Sequence, residues 1–339
     1  MIAGATSGDT GGAALEAFKT CDGIETFFMF PDGKVSDFQR RQMTTVGADN
    51  CHALAIDGSF DDCQTMVKDM FANQAFASRV KLSAVNSINW GRVMAQVVYY
   101  FTAATALGAP EQKVSFTVPT GNFGDIYAGY VAKQMGLPID RLVIATNEND
   151  ILARTLATGN HKLGSVKATI TPSMDIQISS NFERLLFEAA GRDSTMVRDL
   201  MAALKHDHNY SLPDDMLKFI RDSFDAGAVS EVETVEEVAR IFRDTGYIAD
   251  PHTAIAVKVA HDYADPEVPM VTLSTAHPAK FPDTVHDATG KKVHPPVWGD
   301  IPGERSESVA YLANDRACVE EYMLKHSRLG LEAYQSRTA

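Results

Sequence analysis

Basic residues, cysteines and long apolar runs are all scarce in this chain, and each scarcity removes a class of function. Against 44 Asp and Glu stand 31 Lys and Arg, a formal charge of -13 over 339 residues. Nucleic acid needs a basic face, so none is expected as a partner. Small anions remain open, because they need only a local nest of donors. The four cysteines, Cys21, Cys51, Cys63 and Cys318, form no CxxC pair. A reduced, cytoplasmic protein without a structural metal is the expectation. No apolar run is long enough to span a bilayer, and the first residues show no basic-then-apolar leader, so no membrane partner is expected. Repeats and low-complexity segments are missing too. His206 and His208, flanking Asp207, could suggest metal but are read as a surface loop.

What is present centres on Val118-Pro119-Thr120-Gly121-Asn122-Phe123-Gly124-Asp125. The β-branched, apolar run Val114–Val118 before it reads as a buried strand. Ile126, Tyr130, Val131 and Met135 after it fall near helical spacing, until Gly136 and Pro138 stop the run. Strand, glycine loop and helix together aim backbone N–H groups and a positive helix end at an anion. An isolated Gly-x-x-Gly is as a rule an ordinary turn. A second loop of the same kind, Thr6-Ser7-Gly8-Asp9-Thr10-Gly11-Gly12, lifts this one above that reading. It is dense in hydroxyl and N–H donors ahead of a helix over Ala13–Lys19, and suits a carboxylate or a phosphate.

Between the two loops, strands at Glu25–Phe30 and Cys51–Ile56 alternate with helices, the pattern of βαβ units and a parallel sheet. Ser59 and Asp62 have capping-box spacing. Asn86, Ser87, Asn89 and Arg92 gather ahead of a long helix in which Trp90, Val93, Met94, Val97, Val98, Phe101 and Ala104 share helical spacing. Helix caps account for two of these polar residues, while three donors plus an arginine equally suit a ligand. A further strand, Arg141–Thr146, ends in a polar run that should face the same crevice as the Gly121 loop. Charged residues 192–245 read as a solvated outer layer. Met270–Ser274 reads as a buried strand leading straight into Thr275.

Six stretches in this order, SGDTG at 7–11, NSINWGR at 86–92, PTGNFGD at 119–125, SSNFERLLFE at 179–188, DPHTA at 250–254 and STAHPAKF at 274–281, resemble the threonine synthase family, in its bacterial and fungal branch. The resemblance covers essentially the whole chain. It implies an α/β, two-lobed parallel-sheet fold of the tryptophan synthase β class, fold type II of pyridoxal-phosphate enzymes. The lobes are expected at 1–108 and 109–339. The implied reaction turns O-phospho-L-homoserine and water into L-threonine and phosphate, the work of a carbon–oxygen lyase. A non-catalytic phosphate-ligand binder and a pyridoxal-phosphate amino-acid dehydratase are the competing readings.

By the same resemblance, Gly121, Asn122, Phe123, Gly124 and Asp125 hold the phosphate of pyridoxal 5'-phosphate, and Thr275 bonds its pyridine nitrogen. Thr6, Ser7, Gly8, Asp9 and Thr10 grip the substrate carboxylate. Asn86, Ser87, Asn89 and Arg92 lie near the ring and the substrate phosphate. The family's covalent lysine sits in a Phe-Lys-Asp type motif upstream of SGDTG, and no lysine precedes Lys19 here. Lys68, in Val-Lys-Asp-Met, and Lys280, in STAHPAKF, do not match that motif. The expectation is a chain without the N-terminal segment and without a catalytic lysine, binding its cofactor non-covalently. A small-molecule substrate and a monomer or homodimer are expected.

Overall fold

The computed structural model describes residues 1–6, 8–35, 37–86, 88–294 and 305–328. Its contacts divide the described chain into two units. One comprises residues 1–86 with 305–328, the other residues 88–294.

The first unit is built on strands β1 (Ile2–Ala5), β2 (Thr26–Pro31), β3 (Cys51–Asp57) and β4 (Ser83–Ala84). Helices α1 (Asp9–Phe18), α2 (Asp37–Thr44), α3 (Phe60–Ala72) and α4 (Gln74–Val80) connect them. A strand from the far end of the chain, Ala310–Ala313, completes a parallel sheet by adding to β3, which pairs in turn with β2, then β1, then β4. Both faces of β2 are covered, as a crossover-linked parallel sheet requires. Phe27 and Met29 pack with Met66 and Met70, while Phe28 and Phe30 pack with Leu15 and Met43. The Ser59–Asp62 capping box forms as its spacing predicts. Helix α1 starts earlier than expected, at Asp9, so Asp9 and Thr10 belong to its first turn. Gly11 and Gly12 inside it are buried, and a Cβ on Gly11 would meet the Thr6 side chain at 2.5 Å. Close approach explains both glycines better than loop geometry does.

The second unit opens with α5 (Trp90–Ala106), β5 (Val114–Pro119), α6 (Gly124–Gln134), β6 (Ile139–Thr146) and α7 (Ile151–Thr158). Its parallel sheet runs Met270–Thr272, β5, β6, Phe224–Ala228. The expected boundary after residue 108 put α5 with the first lobe. Here α5 packs on α6, and Val93, Val97, Tyr100 and Ala104 join the core around Phe116 and Ile126. The helical period of α5 is as read and Val93, Val97 and Ala104 of the expected stripe are buried, but the buried face is turned towards Tyr100. Trp90, Met94 and Val98 are 46%, 59% and 55% exposed, while Tyr100 is fully buried against Phe116.

Residues 192–245 also differ from a simple solvated layer. They contain the sheet-edge strand Phe224–Ala228, and they bury Leu200, Leu204, Met216, Leu217 and Ile220. Asp225 and Gly227 interrupt the apolar pattern that signals a strand. The glycine is needed because a Cβ there would come within 2.8 Å of Val259. Among the described residues, no helix is long and apolar enough to cross a membrane.

Candidate active site

Strand β5 ends at Pro119, and the chain then makes the loop the sequence singled out. Thr120 ties the strand end down twice: its N–H donates to Ala145 O at 2.8 Å, and its hydroxyl to Val118 O at 2.7 Å. Gly121 comes so close to a neighbouring segment that an added Cβ would lie 2.3 Å from the Ser173 carbonyl oxygen. Phe123 turns the chain into α6 with φ 63°, a left-handed conformation that costs a non-glycine residue free energy. Its ring offsets that cost in the core, 5.2 Å from Phe182 and 5.7 Å from Phe224. The first N–H groups of α6 have no partner within the helix.

This loop, Pro119 to Ile126, lines a cavity of about 540 Å3 together with Arg92, Gln96 and Tyr99 of α5 and the segment Leu273-Ser274-Thr275. Thus Gly121, Asn122, Phe123, Gly124, Asp125, Arg92 and Thr275 share one cavity. Among the described residues, Nη1 of Arg92 is buried without a hydrogen-bond partner, and burial lowers the guanidinium's pKa. A buried donor without an acceptor calls for an explanation, and a bound anion supplies one. Asp125 is held by Tyr100, whose hydroxyl donates to the Asp125 carbonyl at 2.8 Å and to Oδ1 at 3.2 Å. Burial pushes its carboxyl up to about 6, with the Tyr100 bond opposing.

Gln96 and Tyr99 were not singled out from sequence, although they follow Arg92 at i+4 and i+7, one face of a helix. Also unread was the second layer around the loop. Ser179 Oγ donates to Gly121 O at 2.7 Å, and Asn181 donates to Asn122 O from its backbone at 3.1 Å and its side chain at 2.9 Å. The Ser-Ser-Asn opening of the SSNFERLLFE stretch therefore fixes the loop's carbonyls, which directs its N–H groups the other way.

The remaining predicted residues lie elsewhere. Asn89 caps α5, its Oδ1 accepting from Gly91 N at 2.8 Å, and is not among the cavity's lining residues. Asn86, Thr6, Gly8, Asp9 and Thr10 belong to the first unit. There Thr6 Oγ1 accepts from the N–H groups of Gly8 and Gly11, both at 2.9 Å, and Gln39 donates to Asp9 at 3.3 Å. Ser7 and Ser87 lie outside the described residues. Lys68 is exposed on α3, and Lys280 ends the short turn Pro278–Lys280; neither lines the cavity.

Comparison with known proteins identifies the family. The family described as "Pyridoxal-phosphate dependent enzyme" matches residues 1–200, and "Threonine synthase, C-terminal" matches 253–323. Threonine synthase of Pseudomonas aeruginosa is 48% identical over 332 residues, covering 97% of this chain and 71% of that protein. Threonine synthase of Saccharomyces cerevisiae is 43% identical, covering 85% of this chain and 60% of that protein. The crystal structure of threonine synthase from Brucella melitensis with bound PLP superposes with TM-score 0.93 and 56% identity, over 96% of this chain and 70% of that one. Maize serine racemase, at 17% identity and TM-score 0.53, shares the fold alone.

Proposed function

The chain belongs to the threonine synthase family of pyridoxal-phosphate-dependent enzymes, and from that premise we propose that it makes L-threonine and phosphate from O-phospho-L-homoserine and water, with the cavity of the second unit as cofactor pocket. The observation that carries this reading is Nη1 of Arg92, buried and unpartnered among the described residues, in a cavity whose floor is the Gly121 loop and the N-terminus of α6. A phosphoryl group satisfies both donors at once. The residues present therefore fit pyridoxal 5'-phosphate.

When bound, that cofactor draws electron density away from the substrate carbons beside the amino group, which lets protons leave them and the terminal phosphate depart. The chain's own residues bind and orient. Backbone N–H groups from Gly121 to Asp125 would hold the cofactor phosphate. Arg92, expected from sequence near the ring and the substrate phosphate, shares their cavity and is reassigned here to the cofactor phosphate. Asp125 lines the same cavity, and its burial raises the carboxyl's pKa, so proton uptake beside an anion is easier than for a free aspartate. Thr275, which lines the cavity, would offer a neutral hydroxyl to the cofactor's pyridine nitrogen. Thr6, Ser7, Gly8, Asp9 and Thr10 are assigned to the substrate carboxylate, and Asn86, Ser87 and Asn89 to the substrate phosphate. The two units, residues 1–86 with 305–328 and residues 88–294, are taken as the lobes of the working enzyme in place of the expected division after residue 108. It is taken to be a cytoplasmic monomer or homodimer, in keeping with a charge of -13 and cysteines without CxxC spacing.

The test pairs binding with turnover. Calorimetry should give saturable, non-covalent binding of pyridoxal 5'-phosphate that Asn122→Ala and Thr275→Ala weaken. Joining the chain to a relative's upstream Phe-Lys-Asp segment should yield threonine and phosphate in equal amounts from O-phospho-L-homoserine. A joined protein that binds the cofactor but releases no phosphate would refute the proposed reaction.

A further inference from the structure

A segment more than forty residues downstream presses on the Gly121 loop. That segment is anchored by one acidic side chain that no part of the proposed chemistry uses. Asp175 Oδ1 accepts from Asn147 Nδ2 at 2.8 Å, Asn149 Nδ2 at 3.0 Å and Thr169 Oγ1 at 2.7 Å, and Oδ2 accepts from Thr169 N at 2.8 Å. Every one of these donors is neutral, and Asn147 and Asn149 are 2% and 3% exposed. The two asparagines follow directly on the C-terminal end of β6, next in the sheet to the strand that carries the Gly121 loop. Asn149 also clasps the incoming chain, donating to Lys167 O at 2.9 Å and accepting from Lys167 N at 2.9 Å.

Between Thr169 and Asn181 the chain is therefore pinned at one end to β6 and at the other to the loop. Just before Asp175, the turn Pro172–Met174 sets the Ser173 carbonyl against Gly121, where no Cβ fits. Just after it, Ser179 and Asn181 take the carbonyls of Gly121 and Asn122. Both contacts turn on where Asp175 holds the chain.

We propose that Asp175 is a positioning residue for the phosphate end of the cofactor: by gathering Asn147, Asn149 and Thr169 it sets the 172–181 segment that shapes the Gly121 loop. The inference rests on reading that loop as a phosphate cradle. It touches neither the ring end of the cavity at Thr275 nor any bond-making step. Its signature is a defect confined to ligands that carry phosphate. A general loss of packing would weaken every ligand of the cavity alike.

The test is calorimetric binding of pyridoxal 5'-phosphate, inorganic phosphate and unphosphorylated pyridoxal to the full chain and to Asp175→Asn, with thermal unfolding alongside. Asparagine keeps the shape but turns one acceptor into a donor facing donors. The expected result is about a tenfold or greater loss, by the same factor, for the two phosphate ligands, with pyridoxal unchanged. Thr169→Val keeps the charge and deletes one hydroxyl; a smaller loss with the same selectivity is expected, and it serves if Asp175→Asn does not fold. Equal weakening of all three ligands, or of none, overturns the inference while the cradle stands. A wild-type chain that binds neither phosphate ligand overturns the cradle and the inference together.

Discussion

Adding one carbon atom to Gly121 is the sharpest test of the loop. In Gly121→Ala the new Cβ would sit 2.3 Å from the Ser173 carbonyl oxygen and 3.4 Å from its carbon. Contact between these atoms needs about 1 Å more, so one backbone must move. Neither moves easily. The Ser179 hydroxyl holds Gly121 O, and Met174 N is bonded to Thr171 O at 2.9 Å. Overpacking of this kind costs ~1–3 kcal/mol, and for a domain of this size each kcal/mol lowers Tm by roughly 2–4 °C. A displacement of about 1 Å in the cradle should cost up to ~100-fold in function, far more than the stability loss implies. Gly164→Ala is the control in the same stretch. Its added Cβ would lie 3.6 Å from Gln177 Oε1, an ordinary contact, and its Tm should be unchanged or slightly higher. Thermal unfolding and calorimetric titration with pyridoxal 5'-phosphate read both effects. Wild-type affinity and Tm in Gly121→Ala would show that the tight approach to Ser173 does not shape the loop.

Two further outcomes are expected. His161, 2% exposed and bonded through Nδ1 to Thr155 Oγ1 at 2.8 Å, is held near pH 4 by burial, with Arg154 adding to the effect. The unfolded chain protonates this imidazole near 6.5, so the folded form binds fewer protons between these values. Stability should therefore fall as pH drops from about 6.5 towards 4, by ~3 kcal/mol for this residue. His52, likewise lowered to about 4 by burial, adds a similar slope, so denaturant midpoints should fall less steeply in His161→Gln, and an unchanged decline there would assign the acid lability elsewhere. Separately, borohydride reduction of the chain with pyridoxal 5'-phosphate should leave Lys68 and Lys280 unlabelled in peptide mass maps. A pyridoxyl group on Lys280 would make it the covalent anchor and overturn the assignment of that role to an upstream lysine.

Much of the site was legible because its chemistry is local. A β-branched run followed by Thr120-Gly121-Asn122-Phe123-Gly124 means strand, turn and helix N-terminus within a dozen residues, and steric rules and backbone hydrogen bonding decide it at that range. Met270–Ser274 running into Thr275 gave the same kind of signal, but the strand is shorter, Met270–Thr272, and only half-buried, because it lies at the edge of its sheet. Tertiary structure alone decided which of these local pieces meet. That Arg92, the Gly121 loop and Thr275 line one cavity follows from the packing of α5 on α6 and the pairing of Met270–Thr272 with β5, across separations of roughly thirty and a hundred and fifty residues.

The period of α5 and part of its buried stripe could be read, but not where the stripe is centred, because Met94 and Tyr100 are both apolar enough for either face and only the neighbouring core chooses between them. The strand Phe224–Ala228 was hidden because Gly227 answers to Val259 across the fold, and not to its own neighbours in sequence. Asp175 is the clearest case. Nothing in its surroundings in sequence marks it off from a surface acid. Only the fold brings Asn147, Asn149 and Thr169 around it, since a carboxylate's partners are chosen by distance in space and not along the chain.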